Sequence, residues 1–199
     1  MNALNQRIIT LLIITCVYTF FAVNLVYKED GYKSAILQAL FVFFWSYLGH
    51  VSAHYVSQNY PMNIINTHIS IHHMETNLPR WLDLTSEGLN NFIGFFVLYI
   101  FQEISGYTFL NLKIILYAAF LYIGVHIFYY SIAHTRYHEV HHEDEFVNFS
   151  PEILDYLFNT RKYNANYEKL SVFYETFPAV LSYYAVSYTH LTLPTILRV

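Results

Sequence analysis

Residues 134–160 read HTRYHEVHHEDEFVNFSPEILDYLFNT, and four of the first nine residues are histidines. They are His134, His138, His141 and His142. Spacings of three and four residues place side chains on one face of a helix, so the stretch predicts a helix with converging imidazoles. A neutral imidazole is the commonest metal ligand among protein side chains. The stretch therefore indicates one part of a metal site.

Two further groups of histidines precede this stretch. The first group is His50 and His54, and the second is His68, His72 and His73. Adjacent residues on a helix point about 100° apart, so a neighbouring pair can reach two ions or two sides of one ion. Because a transition-metal ion takes roughly four to six ligands, this number of imidazoles indicates two ions.

The type of ligand narrows the choice of metal. Imidazole suits zinc, copper, iron and nickel. A structural zinc site is closed by its protein ligands and often includes cysteine, but this chain has a single cysteine, Cys16. One cysteine also excludes an internal disulfide and an iron–sulfur cluster. The all-histidine set favours two redox-active iron ions that use O2, with zinc as an alternative occupant in the isolated protein.

The composition is typical of a membrane protein. Hydrophobic residues make up 55% of the chain and charged residues only 12%. Four apolar stretches are candidates for helices across about 30 Å of hydrocarbon, and they lie at 8–27, 34–55, 88–104 and 110–132. We therefore expect an all-α, integral membrane four-helix bundle formed by one domain, 1–185. A net charge of −4 offers no basic surface, so nucleic acid is excluded as a partner.

The order of the predicted spans places all three histidine groups on one side of the membrane. No span separates the first group from the second, and two spans separate the second group from the last. The groups therefore meet at one face, where they form a His-rich helical cap. The excess of Lys and Arg in the segments on that side predicts that this face is cytoplasmic.

The remaining segments predict shorter elements. Residues 64–75 should form a polar-faced helix, and residues 78–81, which contain a Trp, should form a loop at the membrane surface. Residues 151–160 predict a short amphipathic helix. Residues 170–185 predict an interfacial helix that is interrupted at Pro178, because proline removes a helix hydrogen bond.

The C-terminal residues have a separate interpretation. Residues 186–195, VSYTHLTLPT, resemble a translated transposase adapter from shotgun library preparation. The codon after this adapter must begin with A, and the codons for Ile196 do. We therefore expect residues 186–199 to be translated adapter sequence in place of the natural C-terminus. On this interpretation His190 carries no function.

The histidine spacings and the segment after them resemble a known family. H-x-x-x-H at His50, H-x-x-x-H-H at His68 and H-x-x-H-H at His138, followed by NFSPEILDYLFNT, are similar to the fatty acid hydroxylase, or sterol desaturase, superfamily. The resemblance covers residues 50–160. Family members usually carry Gly where this chain has Asn159, and that difference concerns a turn rather than a ligand.

The resemblance implies an integral membrane, non-haem di-iron enzyme that uses O2. Electrons would come from a cytochrome b5- or ferredoxin-type donor, and the membrane would be the endoplasmic reticulum of a eukaryote or the inner membrane of a bacterium. The ligands that it implies are His50, His54, His68, His72, His73, His138, His141 and His142, with His134 as a ninth ligand and His126 as an additional candidate.

The expected reaction is O2-dependent hydroxylation or desaturation of an unactivated C–H bond in a fatty acyl, sphingolipid or sterol substrate. Carotenoid hydroxylases and acyl-lipid desaturases carry similar histidine boxes and are alternatives. A non-catalytic membrane protein that binds or transports a metal is the alternative from another class. It would place polar or acidic residues inside several spans, whereas the fourth predicted span contains His126 and Lys113 as its only Asp, Glu, Lys, Arg or His residues.

Polar residues near the last histidine box allow weaker predictions. Glu139, Glu143, Asp144 and Glu145 could orient a ligand imidazole or could form a solvated acidic rim. Asn148 and Asp155 are expected to pin the chain after the box. The sequence contains no phosphate-binding loop, nucleophile elbow or dinucleotide fingerprint, so the reducing equivalents must come from another protein.

Overall fold

Helices account for all the regular structure in the part of the chain that the computed structural model describes, residues 3–56, 68–73, 79–162 and 171–196. In chain order they are α1 (Ala3–Asp30), α2 (Tyr32–Val56), the short π-helical α3 (His68–His73), α4 (Arg80–Ser105), α5 (Leu112–Val125), α6 (Arg136–Glu143), α7 (Glu152–Phe158) and α8 (Ser171–Ile196). A π-helical segment, His126–Ile132, continues α5. This architecture confirms the all-α prediction.

Four helices are long and apolar enough to cross a membrane, namely α1, α2, α4 and α5 with the start of its π-helical continuation. Large apolar side chains such as Ile13, Phe20 and Leu37 are more than half exposed on their outer faces. A helix satisfies its backbone hydrogen bonds internally, which a span in hydrocarbon requires. The outward apolar faces are those that lipid would cover.

The third span is longer than the sequence predicted, because α4 begins at Arg80 rather than near Gly88. The predicted surface loop at 78–81 is wrong for Arg80 and Trp81, which form the first turn of the helix. Pro79 precedes that turn, and its carbonyl accepts hydrogen bonds from the backbone of Leu82 and Asp83. Proline is compatible with this position, because the first N–H groups of a helix lack intrahelical partners.

Two buried glutamines stabilise the end of the bundle at which α1 meets α2 and α4 meets α5. Gln38 donates to Asp30 and accepts from the backbone N–H of Asn111. Gln102 accepts from the backbone N–H of Leu110 and donates to its carbonyl. Buried amides need such partners. The two glutamines therefore satisfy backbone groups of the turns at this end of the bundle.

The opposite end carries the short helices and the histidines. Helix α3 packs against α4 and α2, and α7 packs against α1. Arg7, near the start of α1, forms a buried ion pair with Glu152 of α7, and Arg161 contacts the same carboxylate. Arg80 of α4 donates to the carbonyl of Ser131 at the end of the π-helical segment. The three histidine groups therefore meet at one end of the bundle, as the number of spans predicted.

Helix α8 does not break at Pro178, so the predicted interruption is wrong. Pro178 lies against α5 at Gly124, where an added Cβ would stand 2.7 Å from the Pro178 Cβ. Packing against α5 therefore outweighs the local cost of proline in a helix. Val186 is also buried in this helix, against a cluster that includes Ala22 and Tyr117. The adapter origin of residues 186–199 stays a prediction.

The close contact of α5 with α8 gives a first prediction. Gly124→Ala should destabilise the protein by about 1–3 kcal/mol, because the new methyl group overlaps the ring of Pro178. Gly94→Ala is the matched control, since nothing lies within 4 Å of the position of its Cβ. That substitution should add about 0.5–1 kcal/mol of stability through helix propensity. Thermal unfolding of both purified variants in detergent measures the difference, and equal midpoints would contradict the packing.

Candidate metal centre

Five imidazoles from three helices converge at this end of the bundle. Ligand nitrogens of His50, His54, His68, His73 and His141 all lie within 4.8 Å of one another. His50 and His54 come from the last turns of α2, His68 and His73 from α3, and His141 from α6. We call them the five-histidine group.

A second set of ligand atoms lies beside the first. Glu87 of α4, His126 at the start of the π-helical segment and His138 of α6 also bring one ligand atom each within 4.8 Å of the others, and all three residues are buried. The His126 Nε2 atom is 3.6 Å from a Glu87 carboxylate oxygen. We call these three residues the acid–histidine group.

His142 lies between the two groups. Its Nε2 atom is 3.0 Å from Nε2 of His138, and its ring stacks on that of His73 with 4.5 Å between centroids. The rings of His50 and His126 are 6.2 Å apart. The two groups are therefore adjacent.

Besides His142, two predicted ligands are not placed in either group. His134 is exposed and has a left-handed backbone, with φ of 49°. Because α6 begins at Arg136, the predicted helical relation of His134 to His138 is absent. The backbone of His72 belongs to α3, but its side chain lies outside the described residues.

Sequence reasoning missed Glu87. The predicted third span began one residue after it, so its carboxylate was left outside the predicted spans. The sequence did contain a signal for Glu87, since it is an acidic residue directly before an apolar run. Ionisable side chains inside a span are commonly functional, so the position could have been marked as a candidate. His126, which the sequence marked only as an additional candidate, is fully enclosed and faces Glu87.

Backbone carbonyls orient two of the imidazoles. The Nδ1 atom of His141 lies 2.6 Å from the carbonyl oxygen of Val147, and Nδ1 of His50 contacts the carbonyl of Phe149. A carbonyl can only accept, so in each ring Nδ1 carries the hydrogen and Nε2 keeps its lone pair. This arrangement is usual for histidines that bind metals.

The carboxylate of Asp155 holds the segment that supplies these carbonyls. One oxygen accepts from the backbone N–H of Phe149 at 3.0 Å and from the Thr160 hydroxyl. The other oxygen accepts from the backbone N–H of Ser150 at 2.8 Å and from the Tyr137 hydroxyl. Asp155 is completely buried, and the prediction that it pins the chain is confirmed.

Two asparagines complete this loop. Asn148 donates to the carbonyl of Tyr137 and accepts from the backbone N–H of Lys162. Asn148 and Asn159 have left-handed backbones, with φ of 54° and 57°. Asparagine adopts this conformation more readily than other residues with a side chain. Asn159 therefore ends α7 in a left-handed turn.

The acidic residues around α6 divide between the two predicted roles. Glu139 and Glu143 pair with the exposed Arg136, and Asp144 pairs with Lys162, so these three form a solvated rim. Glu145 instead places a carboxylate oxygen 3.8 Å from Nδ1 of His54. It is the residue of this set that faces the five-histidine group.

The protonation states favour metal binding. Burial lowers the pKa of His141 to about 4, and burial also lowers the pKa of His142. Both imidazoles are therefore neutral near pH 7, which a metal ligand requires.

The donor atoms fit metal ions. Nε2 of His68 is 2.9 Å from Nε2 of His50 and 3.2 Å from Nε2 of His54, and one hydrogen on His68 can serve only one of these contacts. The buried Nε2 of His141 makes no hydrogen bond within the described residues. Buried nitrogens rarely lack a partner, and a cation supplies one to several lone pairs at once. The five-histidine group could hold one ion, and the acid–histidine group could hold a second.

The role of Asp155 can be tested by substitution. In Asp155→Asn an amide NH2 replaces one of two accepting oxygens, so the carbonyls of Val147 and Phe149 should shift. Metal affinity should fall roughly 10- to 100-fold, the usual cost of losing a group that orients a ligand. Asp144→Asn is the control, because Asp144 pairs with Lys162 on the surface. Competition with a chelator measures affinity, and equal values for the two variants would refute this role.

Comparisons of the chain with protein-family models, with curated proteins and with solved structures found no match. The family suggested by the histidine spacings therefore stays a prediction. The four candidate membrane spans and the buried histidine groups are features of the structure itself.

Proposed function

We propose that this chain is a histidine-ligated di-iron oxidoreductase that uses O2 to hydroxylate or desaturate an unactivated C–H bond of a membrane lipid. The observation that carries the proposal is the pair of adjacent, buried ligand groups at one end of four apolar helices. The resemblance of the three histidine boxes to fatty acid hydroxylases supports the same conclusion. The fatty acyl, sphingolipid and sterol classes are all candidates for the substrate.

The ligand set favours a redox metal. A structural zinc site is closed by four ligands, whereas five imidazoles surround one position here and a carboxylate joins two imidazoles at the other. Mixed imidazole and carboxylate ligands are typical of non-haem iron. When bound, two iron ions would supply the activation of O2 and the removal of hydrogen from the lipid.

The side chains of this chain prepare the site for that chemistry. The carbonyls of Val147 and Phe149 hold His141 and His50 in orientation, and Nε2 of each of these two rings keeps its lone pair. His54 and His141 are completely buried, and Phe149 packs against the rings of both. Such packing excludes water, which protects a reactive oxidant from side reactions.

The reaction needs reducing equivalents from outside the chain. Hydroxylation consumes one O2, two electrons and two protons for each alcohol formed, and it releases one water. Desaturation consumes the same reactants and releases two waters. We propose a cytochrome b5- or ferredoxin-type donor at the cytoplasmic face, in the endoplasmic reticulum of a eukaryote or the inner membrane of a bacterium.

An apolar cavity beside the site supports a lipid substrate. It has a volume of about 70 Å³ and lies between α1, α2 and α5, with Ala22, Val42 and Leu121 among its lining residues. Tyr122 forms part of its wall, and the hydroxyl of this residue is 3.0 Å from Nδ1 of His50. Apolar space that Tyr122 separates from the candidate ligand His50 suits a hydrocarbon chain better than a polar metabolite.

A metal transporter is the second candidate, and Glu87, Asn91 and His126 favour it as buried polar residues within spans. A path for ions would need polar groups along the bundle. On the buried face of α4, however, Asn91 is followed by Phe95 and Leu98. The described residues of α4 therefore provide one candidate ligand, Glu87, at one end of the bundle rather than a continuous polar path.

The number of bound ions tests the two-metal site. The purified chain should bind about two iron ions, and Glu87→Gln should retain about one, because the acid–histidine group loses its carboxylate ligand. Glu139→Gln is a matched control, since Glu139 is exposed and pairs with Arg136. Metal analysis together with protein quantification gives the ratio. One ion in the wild-type chain, or two in Glu87→Gln, would contradict the assignment.

Comparing cellular lipids tests the reaction. Cells that express the wild-type chain should accumulate a hydroxylated or newly unsaturated lipid, and cells that express His141→Ala should not. Reduced, iron-loaded protein should also consume O2 in the presence of that lipid. Two tightly bound ions with no O2 consumption and no lipid change would favour metal binding or transport instead.

A further inference from the structure

A second cavity reaches the metal centre from the side of the bundle. It has a volume of about 180 Å³ and lies between α2 and α4. His50 and His68 form part of its lining, so it opens directly onto the five-histidine group. The other lining residues that matter here are Trp45, Gly49, Ala53, Asn90, Asn91 and Gly94. We call this cavity the α2–α4 cleft.

The α2–α4 cleft opens toward the surface that lipid would cover. Ile93 lines its outer part and is 55% exposed, and the neighbouring Gly94 is exposed as well. No atom lies within 4 Å of the position of a Cβ at Gly94. The indole N–H of Trp45 donates to the Gly94 carbonyl at 2.9 Å, which links the two helices beside the opening.

Asn91 contributes a buried amide to the lining of the cleft. The residue is more than nine-tenths buried, at 8% exposure, and its amide nitrogen has no hydrogen-bond partner among the described residues. It lies one helical turn after Glu87, on the same face of α4. A buried amide without a partner is costly, so the site is suited to a ligand that supplies an acceptor.

We propose that the α2–α4 cleft binds the lipid substrate and that Asn91 donates a hydrogen bond to a carbonyl or hydroxyl oxygen of that lipid. The substrate class is then a lipid with an oxygen function close to the carbon that reacts, rather than a plain hydrocarbon. The cleft is smaller than a typical pocket of about 300–1,000 Å³, so it holds the segment around the oxygen while the rest of the lipid stays in the bilayer. The identity of this ligand as substrate rests on the proposed function.

Binding can be measured without turnover, because Trp45 lines the cleft. The chain has two tryptophans, and Trp81→Phe leaves Trp45 as the fluorophore. Trp81 is 68% exposed and does not line the cleft. The full-length chain in detergent is titrated with a dibrominated fatty acid methyl ester and, separately, with a dibrominated alkane of the same length. Bromine quenches indole fluorescence at short range.

The ester should quench Trp45 with a saturable curve, and Asn91→Leu should raise its half-saturation concentration about tenfold, the usual effect of losing one hydrogen bond. The alkane should bind more weakly, and the substitution should not change its curve. Asn91→Gln keeps an amide donor and should remain closer to the wild type than Asn91→Leu. Asn24→Leu is the matched control, because Asn24 is an amide in α1 that donates to the Phe20 carbonyl of its own helix.

Equal curves for the ester and the alkane, or an ester curve that Asn91→Leu leaves unchanged, would overturn the proposal. The assay needs neither electrons nor O2. A saturable, Asn91-dependent curve in a protein that never consumes O2 would support the binding site while the proposed reaction fails. O2-dependent lipid oxidation that Asn91→Leu leaves unchanged, with unchanged quenching, would retain the reaction and reject this site.

Discussion

A buried imidazole has two nitrogens that need partners, and this requirement organises the end of the bundle that carries the histidines. Where Nδ1–H of His141 and His50 is donated to a backbone carbonyl, Nε2 is left with a lone pair directed at the other histidines. The carbonyls are held in place by a loop that one buried carboxylate, Asp155, anchors through four hydrogen bonds. The orientation of the His50 and His141 rings therefore depends on the loop that Asp155 anchors.

The two ends of the bundle use buried polar groups for different purposes. At one end Gln38 and Gln102 satisfy the backbone of the turns. At the other end histidines and Glu87 face one another, and the spans between the ends have apolar buried faces such as Phe95 and Leu98. A membrane-spanning bundle can tolerate clustered ionisable residues when they face its interior and share a cation. A shared metal ion would explain why these residues lie together in an otherwise apolar chain.

The features that sequence could predict are those with a short-range signal. Apolar length predicted the spans, and spacing predicted that His138, His141 and His142 share a helix, as α6 shows. His134 was assigned to that helix wrongly because spacing does not reveal where a helix begins. The role of Glu87 and the tolerance of Pro178 within α8 depend on contacts with other helices, and a local sequence pattern does not contain those contacts. The carbonyls that orient His50 and His141 were equally hidden, since their positions follow from a loop with two left-handed residues.

We propose that imidazoles from the three histidine groups of the sequence bind the metal together. X-ray absorption fine structure at the iron edge of the purified, iron-loaded chain tests it most directly, because imidazole rings give a characteristic outer-shell scattering pattern. We expect a first shell composed mainly of nitrogen with strong imidazole scattering, and a clear loss of that scattering per chain in His141→Ala. A first shell composed mainly of oxygen, without imidazole scattering, would contradict it.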